Sequence, residues 1–481
     1  MIAMEKQAEG RRPRAVRRVL IAAVAGCAVL GGALALWPWE RPAAPRPVAP
    51  APGAQALTAV TSGVPAALPD LALLIAGREA RVRAHPEDAQ SWAVLGTAYV
   101  EQGRRTADAT NYPRAEKALR TSLKVREKGN DVRTAALDGM AALANARRDF
   151  RSARTWGRAA LKLAPKRWST YPLLIDAYTG LGDYKAAKKT LDRLLELHPG
   201  AAAVRARAAA LYRDRGWRED AAAALSDAAA AAGTPAEQAA WLERSGQLAF
   251  ERGDLEEALR RFQAAVRLDP DQRAAQAGQG RTLAALGRTT EALNAYRVAL
   301  DKQPCPQYAL ELGELYESLG MADAARAEYD VLGTRVQDEV AGGVDDDLVL
   351  GVFEADHGDA RAAVRLLRAE WRRQPGTEVA DALGWALRMA GDDKGALKFA
   401  MAATDKVHGG AVRSALYAYH RGMIEQELEL AWPARRHLQE ALRINPYFSP
   451  LRVPLAKQAL AALGDPPDEP LPTGSPSAED D

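Results

Sequence analysis

The stretch GLGDYKAAKKTLDRLLELHP, residues 180–199, decides how the whole chain is read. Its Gly-Asp-Tyr, lysine pair, acids and terminal His-Pro fit either a reactive constellation or the start and stop of a helix. Recurrence separates the two. RRDFRSARTWGRAALKLAP (147–165), ERGDLEEALRRFQAAVRLDP (251–270) and LGRTTEALNAYRVALDKQP (286–304) follow the same grammar of polar turn, amphipathic run and proline. Pro165 to Pro199 spans 34 residues, as does Pro270 to Pro304. A small residue recurs at Ala153, Ala187, Ala221, Ala258, Ala292, Ala325, Ala363, Ala396 and Ala434, at intervals of 34, 34, 37, 34, 33, 38, 33 and 38. A period of this size means one helical hairpin repeated along a solenoid. Within it Asp183 and Tyr184 form a turn, Ala187 is a packing contact, Pro199 stops the helix, and His198 is no catalytic base.

Composition agrees with helix. The chain has 481 residues, enough for two or three domains or one elongated array. Its 48% apolar content is mostly Ala and Leu, and only 6% is aromatic, which favours helices over strands. A net charge of +3 argues neither for nor against nucleic acid. The charge is unevenly placed: residues 1–18 carry six Lys/Arg against two Glu, and 465–481 carry six acids and no base. The two cysteines, Cys27 in an apolar run and Cys305 between prolines, make neither a disulfide framework nor a metal site. The six histidines lack the close pairing that zinc ligation needs.

Residues 19–37 (VLIAAVAGCAVLGGALALW) are 19 in number and uncharged. As a helix they reach roughly 28 Å, close to a bilayer core. Five arginines (Arg11, Arg12, Arg14, Arg17, Arg18) precede them, whereas Arg41 and Arg46 follow. The positive-inside bias therefore predicts a cytoplasmic N-terminus and an extracytoplasmic remainder, with Trp37 and Trp39 at the far interface. The alternatives are a signal peptide cleaved after Ala33-Leu34-Ala35, a lipobox at Val24–Cys27, and a twin-arginine signal at Arg17-Arg18. All place the bulk of the chain outside the cytoplasm. The expected organisation is a basic N-terminus (1–18), a transmembrane signal anchor (19–37), a Pro/Ala-rich extended spacer (38–69), the repeat array with capping helices (70–464) and a disordered acidic tail (465–481).

The repeats resemble the tetratricopeptide family. Its pattern of large apolar residue, Leu-Gly and aromatic on the first helix, then small, large and small residues with a final proline on the second, is met at several places. They include Trp92, Leu95-Gly96 and Tyr99; Tyr171, Leu174, Tyr178, Ala187, Leu191 and Pro199; Leu242, Gly246, Ala258, Phe262, Ala265 and Pro270; Leu312-Gly313, Tyr316, Ala325 and Tyr329; and Gly422, Ala434, Leu438, Ala441 and Pro446. The resemblance covers about residues 87–448. It implies an all-α, right-handed superhelical solenoid of helical hairpins, here preceded by one transmembrane helix. Departures are expected at 104–111, an insertion into a hairpin turn, and at 333–346 and 406–412, two lengthened connections. Residues 70–84 and 452–463 read as caps for the exposed end faces.

No nucleophile elbow, P-loop or HExxH motif is present. Gly278-Gln279-Gly280 falls inside a first helix, where packing explains it, and Asp345-Asp346-Asp347 reads as a helix start. The expectation is no catalysis, no cofactor and no metal. The resemblance implies function in the concave groove, lined here by Asp138, Asn145, Asp176, Arg207, Arg213, Glu243, Gln247, Arg281, Glu314, Glu317, Trp385, Arg388, Tyr419 and Met423. That surface reads as basic from Arg207 to Arg281, acidic around Glu314 and aromatic near Trp385 and Tyr419. The Lys/Asn cluster used by family members that grip a C-terminal carboxylate is missing. The expected partner is a protein or peptide, with the membrane reached through 19–37, and with neither nucleic acid nor a small-molecule substrate. An alternative is an accessory factor of a cell-envelope assembly, in cytochrome c maturation, secretion or polysaccharide export, whose catalytic subunit is another chain.

Overall fold

Gly182 adopts φ 69°, the Asp183 amide donates back to the Tyr178 carbonyl at 2.8 Å, and the Asp183 side chain accepts from Ala186 N at 3.0 Å. The glycine ends one helix in the left-handed conformation, and the aspartate starts the next by capping a free amide. The same reversal recurs at Gly216, Gly253, Gly287, Gly320 and Gly391. Arg148 (φ 61°) and Glu429 (φ 59°) hold it without glycine, at a cost of about 1–2 kcal/mol each.

The computed structural model describes residues 52–125, 129–302, 304–404 and 411–464. The expected span at 19–37 and the acidic tail at 465–481 lie outside them. Among the described residues every regular element is helical: α1 (Pro52–Ser62), α2 (Leu68–Ala84), α3 (Ala89–Thr106), α4 (Asn111–Lys124), α5 (Asp131–Ala146), α6 (Phe150–Leu163), α7 (Thr170–Gly180), α8 (Tyr184–Leu197), α9 (Ala202–Asp214), α10 (Arg218–Ala230), α11 (Pro235–Glu251), α12 (Leu255–Leu268), α13 (Arg273–Ala285), α14 (Thr289–Lys302), α15 (Pro306–Ser318), α16 (Ala322–Ala341), α17 (Asp347–His357), α18 (Ala360–Arg373), α19 (Thr377–Met389), α20 (Asp393–Thr404), α21 (Ala415–Glu427), α22 (Ala431–Ile444) and α23 (Arg452–Ala462). Helices α3 to α22 pair as ten hairpins. None of the described helices is long and apolar enough to cross a membrane.

The small-residue positions carry the packing. Eight of the nine recurring alanines are 0% exposed and Ala325 is 3% exposed, because the two helices of each hairpin touch there. Replacing Ala187 by Phe is expected to lower stability by about 1–3 kcal/mol through overpacking; an unchanged urea midpoint would overturn the phasing. Gly278 and Gly280 are packing residues as well. A Cβ on either would come 2.4 Å from the Phe262 ring or 2.6 Å from the Tyr296 ring.

Three expectations change. Of the spacer at 38–69, residues 52–62 form helix α1, with Ala56, Ala59 and Val60 buried against the first hairpin. Pro52 stands at a helix start, where its missing N–H is harmless, and no proline follows until Pro65. The region expected to lengthen a connection at 333–346 mostly extends α16 to Ala341, with Leu332 and Val336 buried one turn apart. Tyr184, expected in the turn, is the first residue of α8. Part of the connection at 406–412 lies outside the described residues.

The array winds back on itself. Each early hairpin turn meets a connection between much later repeats. Arg147 Nε donates to Gly342 O at 3.0 Å, across 195 residues, and Asp345 N returns to Arg147 O. Phe150 N donates to Gln374 Oε1, and the Arg151 guanidinium to the carbonyls of Arg372 and Arg373. The Tyr184 hydroxyl accepts from Thr377 N and bonds its Oγ1, while Arg218 reaches Arg413 O. Asn445 Nδ2 donates to Phe250 O at 2.8 Å, again across 195 residues. One superhelical turn therefore rests on the next.

Acidic groups crowd the first of these junctions. Burial, then the neighbouring Asp346 carboxylate, pushes Glu339 up to about 8, and burial followed by Glu370 pushes Asp345 up to about 6. A carboxyl raised in the folded state keeps a proton that the unfolded chain releases near 4.5. This contribution is therefore full below that value and is lost as pH rises toward 8. The urea midpoint is expected to fall between pH 5 and 9, and Glu339→Gln to flatten the decline; a rising midpoint in the native chain would overturn this.

Candidate functional site

The inner wall of the array is formed by the first helix of each hairpin, because the second helices lie outside. Positions one repeat apart face each other along that wall, and they are occupied by opposite charges. Arg207 pairs with Asp176 at 3.0 Å. Arg213 holds Glu251 through two bonds of 2.8 and 2.7 Å across 38 residues. Arg281 holds Glu311 at 2.8 Å across 30 residues and Gln247 at 2.5 Å across 34. The expected basic run from Arg207 to Arg281 is thus neutralised in place. The acidic patch at Glu314 is answered by Arg452, which also takes Asp356.

These ladders shift the groups within them. Glu251, with burial opposing it, raises Arg213 above its ordinary value. Burial pushes Asp214, beside the same arginine, up to about 6, aided by Glu378 and Glu251. Burial also raises Glu243.

Winding back leaves a partly open cavity of about 720 Å³. Its lining brings together four of the expected groove residues, Arg213, Arg281, Glu314 and Trp385. A contiguous space of about 420 Å³ adds Gln247. Trp385 donates to Asp356 at 2.7 Å and stacks at 4.3 Å on His420, whose Nδ1 lies 2.9 Å from Asp381. Tyr417 and Glu378 also face this space. Glu378 is exposed to it and makes no hydrogen bond or ion pair among the described residues.

The other expected residues are placed elsewhere. Asp138 is buried beneath the wall, bonded to Arg167 and Thr170, and Asn145 donates to Leu173 O. Glu317 accepts from Tyr329. Arg388 lies 5.0 Å over Trp385, Tyr419 is 1% exposed with its ring 5.8 Å from that of Trp385, and Met423 is half-buried against the apolar cluster that holds both rings. Asp176, Arg207 and Glu243 belong to the wall but not to the cavity.

Sequence reading missed Arg452, His420, Asp381, Tyr417 and Glu378. The ion pairs had a visible signal, opposite charges on first helices about one repeat apart. The second wall of the cavity had none, since it arrives from the later superhelical turn. Two other candidates resolve simply. Asp345, Asp347 and Glu370 converge within 4.8 Å, but the Arg373 guanidinium sits among them at 2.5 to 2.9 Å. Cys305 stands at the start of α15, and burial pushes its thiol up to about 12.

Models of the tetratricopeptide repeat match residues 211–273, 244–305 and 278–334, and a second such model matches 173–201. No curated protein sequence matches the chain. Solved structures similar to it include MamA, 20% identical with a TM-score of 0.29, covering 35% of this chain and 97% of that one. Another is pilF of Pseudomonas aeruginosa, 19% identical at 0.31, over 55% and 96%. A third is the human IFIT1 dimer with m7Gppp-AAAA, 17% identical at 0.44, over 65% and 70%. None of these likenesses transfers a partner to this chain. The chain carries tetratricopeptide repeats, built into an all-helical scaffold whose hairpins wind around an internal cavity.

Proposed function

We propose that this protein is an extracytoplasmic scaffold, held at a membrane by residues 19–37, which takes a short extended segment of a partner protein into its internal cavity. The observation that supports this reading is the cavity of about 720 Å³ walled by first helices of both superhelical turns. Ligand-binding clefts and cavities span roughly 300–1,000 Å³. The lining of this one combines aromatic rings (Phe250, Trp385, Tyr417, Phe448) with charged groups, a surface suited to a polypeptide with mixed side chains. Its acids and arginines are mostly matched to each other, so they fix the shape of the wall. Glu378 and the Tyr417 ring remain for a ligand. An accessory role in a cell-envelope assembly is the same reading with its partner in that assembly.

The test is photocrosslinking from Tyr447 at the cavity rim, in the full chain extracted with detergent from its own membranes. A defined partner is expected to crosslink, and Glu378→Lys combined with Val453→Arg is expected to reduce its capture at least tenfold. Glu378 makes no hydrogen bond or ion pair among the described residues and Val453 lines the cavity only partly buried, so the fold is expected to persist, checked by an unchanged melting curve. Equal capture by the variant would refute the cavity as the site.

A further inference from the structure

The turn glycines fall into two groups with one backbone conformation. Gly182, Gly216 and Gly253, at φ 69°, 75° and 81°, press on later connections. A Cβ there would lie 2.2 Å from Pro375 O, 2.6 Å from Ala411 O and 3.2 Å from the Pro446 ring. Gly287, Gly320 and Gly391, at φ 74°, 73° and 84°, occupy the same place in later hairpins, yet among the described residues nothing lies within 4 Å of such a Cβ. The later turns thus form an edge of the kind that is covered in the first superhelical turn. That open edge carries apolar side chains: Leu319, Met321, Leu430 and Trp432 are 40%, 46%, 40% and 60% exposed.

The connections between repeats divide in the same way. Gln374 and Asn445, each preceding a proline, are 3% and 2% exposed and bond the backbone of early hairpin turns. Asp269, also before a proline, is buried against Arg105 of the first hairpin, at 2.6 Å across 164 residues. Their counterparts in the early repeats, His85 before Pro86 and His198 before Pro199, are exposed. Among the described residues the array therefore ends in one open edge of hairpin turns and one open edge of connections, the two surfaces that bind each other within the chain.

We propose that a second copy of this chain stacks head to tail on the hairpin-turn edge at Leu319–Met321 and Leu430–Trp432, presenting its early connections around Lys166 and His198. The occupant is a second copy because the interface continues one already formed inside the chain, and every copy supplies both halves in equal number. A contact between two different patches extends without closing on itself unless the rotation happens to complete a ring. Burying Trp432, Leu430 and Met321 supplies the apolar area, at about 25 cal/mol per Å² removed from water. This inference is independent of what enters the cavity.

The experiment is sedimentation of the full chain in detergent across micromolar concentrations. One variant blocks the turn edge (Leu430→Glu with Trp432→Glu), and another blocks the connection edge (Lys166→Glu with His198→Glu). The native chain is expected to grow beyond a dimer with concentration, and each blocked variant alone to remain monomeric. An equal mixture of the two variants is expected to stop at a dimer, since one good edge of each kind remains. Met321→Glu alone is expected to weaken growth at least tenfold, a check with one exposed substitution. A native chain that stays monomeric, a dimer that stops growing by itself, or a mixture that fails to pair would each overturn the proposal.

Discussion

Arg105→Met is expected to lower stability by about 3–5 kcal/mol, although it removes a single ion pair. The Arg105–Asp269 pair is 5% and 8% exposed at its side chains, and two guanidinium nitrogens of Arg105 find no acceptor among the described residues. Its net contribution is therefore small, but removing one partner strands a carboxylate in a dry site. Asp269 would keep the Asp271 amide at 3.0 Å and the positive charge of nearby Arg273, without a bonded cation. Arg105→Met with Asp269→Leu is expected to recover most of the loss, because matched apolar groups replace a buried pair with near-neutral effect. Urea denaturation of the three variants measures this cycle. A neutral single variant would mean that the pair does not form, and with it the tie between the first hairpin and the end of the fifth.

Phe262→Ala carries a loss of similar size by another route. Phe262 is 0% exposed and lies between two glycines, with Cβ positions at Gly246 and Gly278 coming 2.8 and 2.4 Å from its ring. Nothing on those glycines can close over the void. The expected loss is about 3–5 kcal/mol, and Phe262→Leu should restore more than half of it. The shape of the transition is a second readout. In an array with only nearest-neighbour contacts a central defect splits unfolding into two parts. Here Arg105 and Asn445 bridge past that site, so a single transition with a lower midpoint is expected. A biphasic curve would show that the superhelical turns are not coupled.

What the sequence disclosed follows from what its period encodes. Ala187, Gly182 and Asp183 each answer to a contact within a few residues or within one hairpin, so their roles were legible. The ion pairs Arg213–Glu251 and Arg281–Glu311 lie one repeat apart and were legible in principle, though reading each groove position singly made them look like open charge. Gln374 and Asn445 were not legible. Locally both are ordinary helix ends before proline, and their partners depend on small rotations summed over some six repeats, which no single residue records. The cavity shares that origin, because Tyr417 and Arg452 meet Arg213 and Glu314 only after the array has come round. Helix α1 was hidden differently: the Pro/Ala composition of 38–69 masked the spacing of Ala56, Ala59 and Val60.

The offset of 195 residues between joined surfaces also sets a clock on synthesis. At roughly 5–20 residues per second, the connection that covers a given early turn leaves the ribosome about 10–40 s after that turn does. Hairpins fold within a small fraction of that interval, since helices and their short loops form in microseconds. The early repeats therefore wait, folded but uncovered, with Gly182, Gly216 and Phe250 facing solvent. Throughout the wait they offer the same edge to any neighbouring nascent chain of the same kind. The accuracy with which a molecule closes on itself is thus decided by how fast it is translated and how closely ribosomes follow one another, quantities that its folded stability does not contain.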